Sequence, residues 1–108
     1  ARIYRDAGFT ALAMENMHDR PYLKGGVGPE VTAAMTALAR EVKRETGLML
    51  GIQVLAAANR EALAVALACG ADIIDLKDPS QGALGAVSLD AIANTVRCVA
   101  GRAPVSAT

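Results

Sequence analysis

Asp75 and Lys77 stand two residues apart at the end of an apolar run, Ala-Asp-Ile-Ile-Asp-Leu-Lys-Asp-Pro, from Ala71 to Pro79. The run follows Gly70 and reads as a short strand that ends in charge. Alternate side chains of a strand point to opposite faces. Asp75 and Lys77 are therefore expected on one face, and Ile74 and Leu76 on the other. A lysine held out of bulk water loses its proton more readily, and the free amine attacks carbonyl carbon to form a Schiff base. A carboxylate beside it would act as an electrostatic partner or a proton shuttle. The same spacing also describes a solvated ion pair, and the local pattern leaves both readings open.

Further polar positions collect around other predicted strand ends. Glu15, Asn16, His18 and Asp19 follow the first strand and have the chemistry of a general acid or base, of part of a metal site, or of a solvated loop. Gln53 lies on the polar face of the second strand, and Ser106 and Thr108 on that of the fourth. Gly82 and Gly85 precede a helix start at Ser88, where backbone amides can hold an anion or simply make a turn. The chain has one His and no metal-ligand spacing, so neither a metal nor a cofactor is expected.

The elements that would carry these residues alternate. Ala1 to Ala7 reads as a helix tail and Phe9 to Glu15 as a strand, followed by a polar loop from Asn16 to Gly28. Pro29 opens a helix whose stripe is Val31, Met35, Leu38 and Val42, closed by Gly47. Leu48 to Leu55 is a strand. Asn59 is the expected cap of a helix over Arg60 to Cys69, which Gly70 stops. Ala71 to Leu76 is a strand, and Lys77 to Val87 a loop. Leu89 to Val99 is a helix with Leu89, Ile92, Val96 and Val99 on its apolar side, and Pro104 to Thr108 is a strand. This alternation predicts an α/β fold of parallel strands with covering helices. Its four βα units are half of a (β/α)₈ TIM barrel, with a small doubly wound sheet as the alternative. One face of each strand is small or polar: Ala11, Ala13 and Glu15; Gly51 and Gln53; Asp75 and Lys77; Ser106 and Thr108. In a barrel that face lines the lumen.

The 108 residues allow one domain, and 53% apolar residues allow a core. Eleven basic and eleven acidic residues cancel, and aromatics are 3%, which argues against a nucleic-acid partner. No run is long enough to span a membrane, and no secretory pattern opens the chain. Cys69 and Cys98 fall near helix ends, where buried free thiols in a cytoplasmic protein are the expected state. The chain begins with Ala1 in the middle of a helical pattern, which suggests a fragment, a processed chain or an engineered one.

Two resemblances follow from longer runs. Glu-Asn-Met-His-Asp-Arg-Pro-Tyr at Glu15 to Tyr22, Gly-Pro-Glu-Val-Thr-Ala-Ala-Met at Gly28 to Met35, Leu-Gly-Ile-Gln-Val-Leu at Leu50 to Leu55 and Asn-Arg-Glu-Ala-Leu-Ala-Val-Ala at Asn59 to Ala66 resemble the BtpA family of barrel proteins. Gly-Ala-Asp-Ile-Ile-Asp-Leu-Lys-Asp-Pro at Gly70 to Pro79, Gln-Gly-Ala-Leu-Gly-Ala at Gln81 to Ala86 and Pro-Val-Ser-Ala-Thr at Pro104 to Thr108 resemble the (5-formylfuran-3-yl)methyl phosphate synthases. The second resemblance implies class I aldolase-like condensation of triose phosphates, with Lys77 as the Schiff-base lysine and Asp75 at the neighbouring acidic position. It also implies a small phosphorylated substrate. In that family the lysine strand comes first, whereas here two strand–helix units precede it. The change of resemblance near Val65 to Gly70 implies one half-barrel domain over residues 1–108 joined from two barrel pieces, 1–68 and 69–108.

Two functional expectations result. In the first, the chain carries part of a phospho-sugar lyase, with Lys77 and Asp75 catalytic and with Gly82, Gly85, Ser106, Thr108, Glu15 and Gln53 around the substrate. In the second, it is a half-barrel structural module without turnover, whose open sheet edges drive self-association into a homo-oligomer.

Overall fold

A computed structural model describes residues 1–19, 26–76 and 89–107. Its elements are helix α1 (Arg2–Asp6), strand β1 (Ala11–Met14), helix α2 (Pro29–Thr46), strand β2 (Met49–Ile52), helix α3 (Asn59–Cys69), strand β3 (Ile73–Leu76), helix α4 (Leu89–Val99) and strand β4 (Val105–Ala107). The expectations at Lys77, Gly82, Gly85, Ser88 and Thr108 lie outside the described residues.

The strands form one parallel sheet in the order β1-β2-β3-β4. Sequential order without a reversal is the arc of a barrel; a doubly wound sheet reverses its order at a switch point. Met35 and Ala39 of α2, Ala62, Val65, Ala66 and Cys69 of α3, and Val99 of α4 share one core with Leu50, Ile52, Ile74 and Leu76 of the strands and with Val54 just beyond β2. The helices therefore cover one sheet face. Leu50, Ile52, Val54, Ile74 and Leu76 are each at most 2% exposed, which fixes strand register, because a one-residue slip would carry them to the other face.

Local chemistry explains the helix ends. Pro29 occupies the first turn of α2, where its missing N–H leaves no hydrogen bond unmade. Gly47 and Gly70 close α2 and α3 in the left-handed conformation, at φ 66° and 69°, where a side chain would be strained. Asn59 does not cap α3. Ala58 holds the cap position, and Asn59 is the first helical residue, buried at 7% exposure.

The strands are shorter than expected. β1 starts at Ala11, because the Phe9 N–H bonds back to Tyr4 O and the two rings meet edge to face at 5.5 Å. β2 covers Met49–Ile52 rather than Leu48 to Leu55, and β3 starts at Ile73 rather than Ala71. Two stripe residues are also corrected. Leu38 is 61% exposed and Val96 is 49% exposed. On α2 the inward line runs Val31, Met35, Ala39, Val42, so Ala39 takes the place expected of Leu38. A small residue there lets the helix lie close to its neighbours. Cys69 is buried, as expected, and burial pushes its thiol pKa up, whereas Cys98 is exposed; both are free.

The N-terminal end of the sheet is tied by one carboxylate. Asp72 Oδ2 accepts from Lys43 Nζ at 2.6 Å and from the buried Leu50 N–H at 2.8 Å. The Asp72 N–H donates to Leu50 O at 2.8 Å. These bonds join α2, β2 and the entry to β3. The hydrogen bond from Lys43, then that from the Leu50 amide, holds the Asp72 pKa below its ordinary 3.8.

The contribution of this tie is therefore complete above the ordinary carboxylate pKa and is lost as pH falls through the lowered value. Asp72→Asn should lower stability at pH 7 by about 0.5 to 1 kcal/mol, the range of a partly exposed ion pair. Urea unfolding of both proteins from pH 7 to pH 3 should show the gap closing only below about pH 4. A gap that does not change across that range would contradict the assignment.

Candidate active site

The face of the sheet opposite the helices carries Ala11, Ala13, Met49, Gly51, Gln53, Ile73 and Asp75. With Leu12, Glu15 and Ile52 these residues line an open hollow of about 310 Å³. The volume is at the small end of the range for ligand pockets. At its floor, a Cβ on Gly51 would meet the Ile73 side chain and Leu12 O at 3.8 Å, which is ordinary contact. Glycine there keeps the floor deep without being required by the backbone.

Register sets the polar rim. Met14 pairs with Ile52, Ile52 with Ile74, and Ile74 with Val105. One residue further along each strand come Glu15, Gln53, Asp75 and Ser106, and the Asp75–Ser106 pair is part of the ladder. Four positions expected in the site thus form a single row across the C-terminal ends of four strands. Barrel enzymes build their sites at this end.

Gln53 Nε2 donates to Asp75 Oδ2 at 2.8 Å. Both side chains are half-buried, whereas Glu15 is exposed at the end of the row. The amide fixes the orientation of one carboxylate, and Glu15 supplies a second. Two carboxylates above a small apolar floor suit proton transfer to and from a small ligand. Among the described residues, no three of His, Cys, Asp and Glu gather as metal ligands.

The polar cluster after β1 divides. Glu15 lines the hollow, and His18 is exposed. Asn16 is half-buried, and its side chain bonds to the backbone of Leu55. Asp19 bonds to Asn16 through its N–H at 3.1 Å and its Oδ2 at 3.4 Å. Sequence spacing placed Asn16 beside the chemistry but gave no sign of its reach to Leu55, beyond β2. Buried Asn59 opens α3 at the same end of the sheet, and its Nδ2 has no hydrogen-bond acceptor among the described residues. No helix among the described residues is long and apolar enough to cross a membrane.

Comparison with known proteins agrees with this architecture. A protein of Archaeoglobus fulgidus is 47% identical over 74 residues, covering 68% of this chain and 30% of its own length. A mitochondrial protein of Caenorhabditis elegans is 40% identical over 79 residues, covering 68% of this chain and 28% of its own. A (5-formylfuran-3-yl)methyl phosphate synthase of Methanosarcina acetivorans is 46% identical over 50 residues, covering 46% of this chain and 21% of its own. The chain thus spans less than a third of the length of these relatives. No solved structure matches it. The BtpA family model matches residues 1–90, on both sides of the point near residues 65–70 where the resemblance changes. That match takes in β1, β2, β3 and the Asp75 strand end together, and the chain belongs to the BtpA family.

Proposed function

We propose that this chain carries the Schiff-base strand of a phospho-sugar lyase barrel acting on small phosphorylated carbonyl compounds. The observation behind this reading is the row of Glu15, Gln53 and Asp75 above the hollow, with Asp75 oriented by Gln53. Lys77, the nucleophile in this reading, follows Asp75 by two residues in the sequence and lies outside the described residues. The relative named as a phosphate synthase supplies the chemical precedent.

The reaction begins as the Lys77 Nζ lone pair adds to the carbonyl carbon. The C–N bond forms as the C=O π bond breaks; the oxygen takes a proton and the nitrogen gives one up. A second proton on that oxygen lets water leave as the C–O bond breaks, the nitrogen lone pair closes the C=N bond, and loss of the second N–H proton leaves the imine. Asp75 and Glu15 exchange these protons with the substrate. Gly82, Gly85, Ser106 and Thr108 would meet its phosphate and hydroxyls.

A specific observation favours a second reading. β1 and β4 each have an unpaired edge among the described residues, and Tyr4, Phe9 and Met49 are each at least half exposed. In that reading the chain is a half-barrel module, and two copies close eight strands.

Incubation with dihydroxyacetone phosphate and borohydride should leave one reduced adduct, mapped by mass spectrometry to Lys77. Asp75→Asn should slow its formation about 100-fold, the lower end for loss of a general acid or base. A folded protein that yields no adduct, or an adduct spread over surface lysines, would remove the lyase reading. Sedimentation should show a species of twice the 11.1 kDa chain mass if the edges pair. A monomer at every concentration would remove barrel closure by two copies.

A further inference from the structure

We infer that Asn16 is a positioning residue of this site: its side-chain amide takes over the next main-chain bonding position beyond β1 and so holds Glu15 in the row. The role of Glu15 rests on the function proposed above; the geometry of the clasp does not.

The hydrogen-bond register carries the inference. The Met49 N–H donates to Thr10 O at 3.3 Å, and the Gln53 N–H to Met14 O at 3.1 Å. The offset of 39 residues makes residue 16 the acceptor for the Leu55 N–H. The Leu55 N–H does bond to residue 16, but to the side-chain Oδ1, at 2.6 Å. The backbone O of Asn16 instead accepts from the Asp19 N–H at 3.1 Å, where the chain turns away from the sheet. Asn16 Nδ2 completes the exchange by donating to Leu55 O at 3.0 Å.

One side chain thus does two things at once. It frees the main chain of Asn16 to begin the loop, and it keeps the ladder to β2 intact past the end of β1. Glu15 lies between Met14 and Asn16, which are bonded to Gln53 and Leu55 just beyond β2, and its side chain lines the hollow. A primary amide suits this role because its carbonyl oxygen and one of its two N–H groups point the same way, so together they meet the N–H and the C=O of a single residue. A carboxylate offers only acceptors and would repel Leu55 O, whereas a protonated carboxyl offers both.

The test therefore uses Asn16→Ala and Asn16→Asp in the full chain, read by nuclear magnetic resonance. In the parent protein the Leu55 amide should be protected from exchange, and Glu15 side-chain protons should show cross-relaxation with Gln53. Asn16→Ala should speed Leu55 exchange roughly tenfold or more and abolish the Glu15–Gln53 signals, with the Val65 amide in α3 unchanged. Asn16→Asp should behave like Asn16→Ala at pH 7. Below about pH 4, where its carboxyl is protonated, it should regain both the protection and the signals. Acid rescue of Asn16→Asp but not of Asn16→Ala is a signature that general destabilisation does not produce. Glu15–Gln53 signals that persist in Asn16→Ala, or two variants that respond alike to acid, would overturn the inference. Loss of the lyase reading through absence of an adduct would leave these readouts intact, so the two failures are distinguishable.

Discussion

Parallel pairing in sequential order is the constraint on which the rest of this structure depends. Because β1, β2, β3 and β4 pair as immediate neighbours, a residue at the C-terminal end of one strand lies beside its counterpart on the next. Four polar residues separated by up to 91 positions of sequence, from Glu15 to Ser106, reach one level in this way. The register is in turn enforced from the opposite face, where the fully buried Leu50, Ile52, Ile74 and Leu76 pack beneath the helices. The apolar contacts and the polar row are therefore two sides of the same alternation.

The two ends of the sheet are held differently. At the N-terminal end a charged group, Asp72, binds Lys43 and the Leu50 amide. At the C-terminal end a neutral amide, Asn16, takes over a backbone position. The difference is physically apt. A charge at the closed end adds to stability without influencing the hollow, whereas a neutral clasp beside Glu15 and Asp75 adds no further charge next to carboxylates. Gln53 likewise orients Asp75 through a neutral amide.

Much of this was legible in the sequence because it follows from short-range pattern. The α2 limits came from Pro29 and Gly47, and the placing of Ile74 and Leu76 on the face opposite Asp75 came from the period of two. Glu15, Gln53 and Asp75 were identified by the same parity. The failures have a common cause: they depend on which neighbour is present in space. Leu38 and Val96 satisfy helical periodicity but lie beyond the edge of the packed stripe. Asn59 has the chemistry of a cap yet sits one residue inside the helix. The bonds of Asn16 reach a residue 39 positions away, which composition and local spacing do not encode. The lysine itself, with the two glycines after it, was identified from sequence and lies outside the described residues.

The account stands on the hollow above Gly51 being the place where ligand binds. Titration of the isotope-labelled protein with a triose phosphate, followed by amide and side-chain chemical shifts, addresses that directly. The account predicts shifts concentrated at Ala13, Glu15, Gly51, Gln53, Ile73 and Asp75. Shifts confined instead to other surfaces of the chain, or no saturable shift at those six residues, would contradict it.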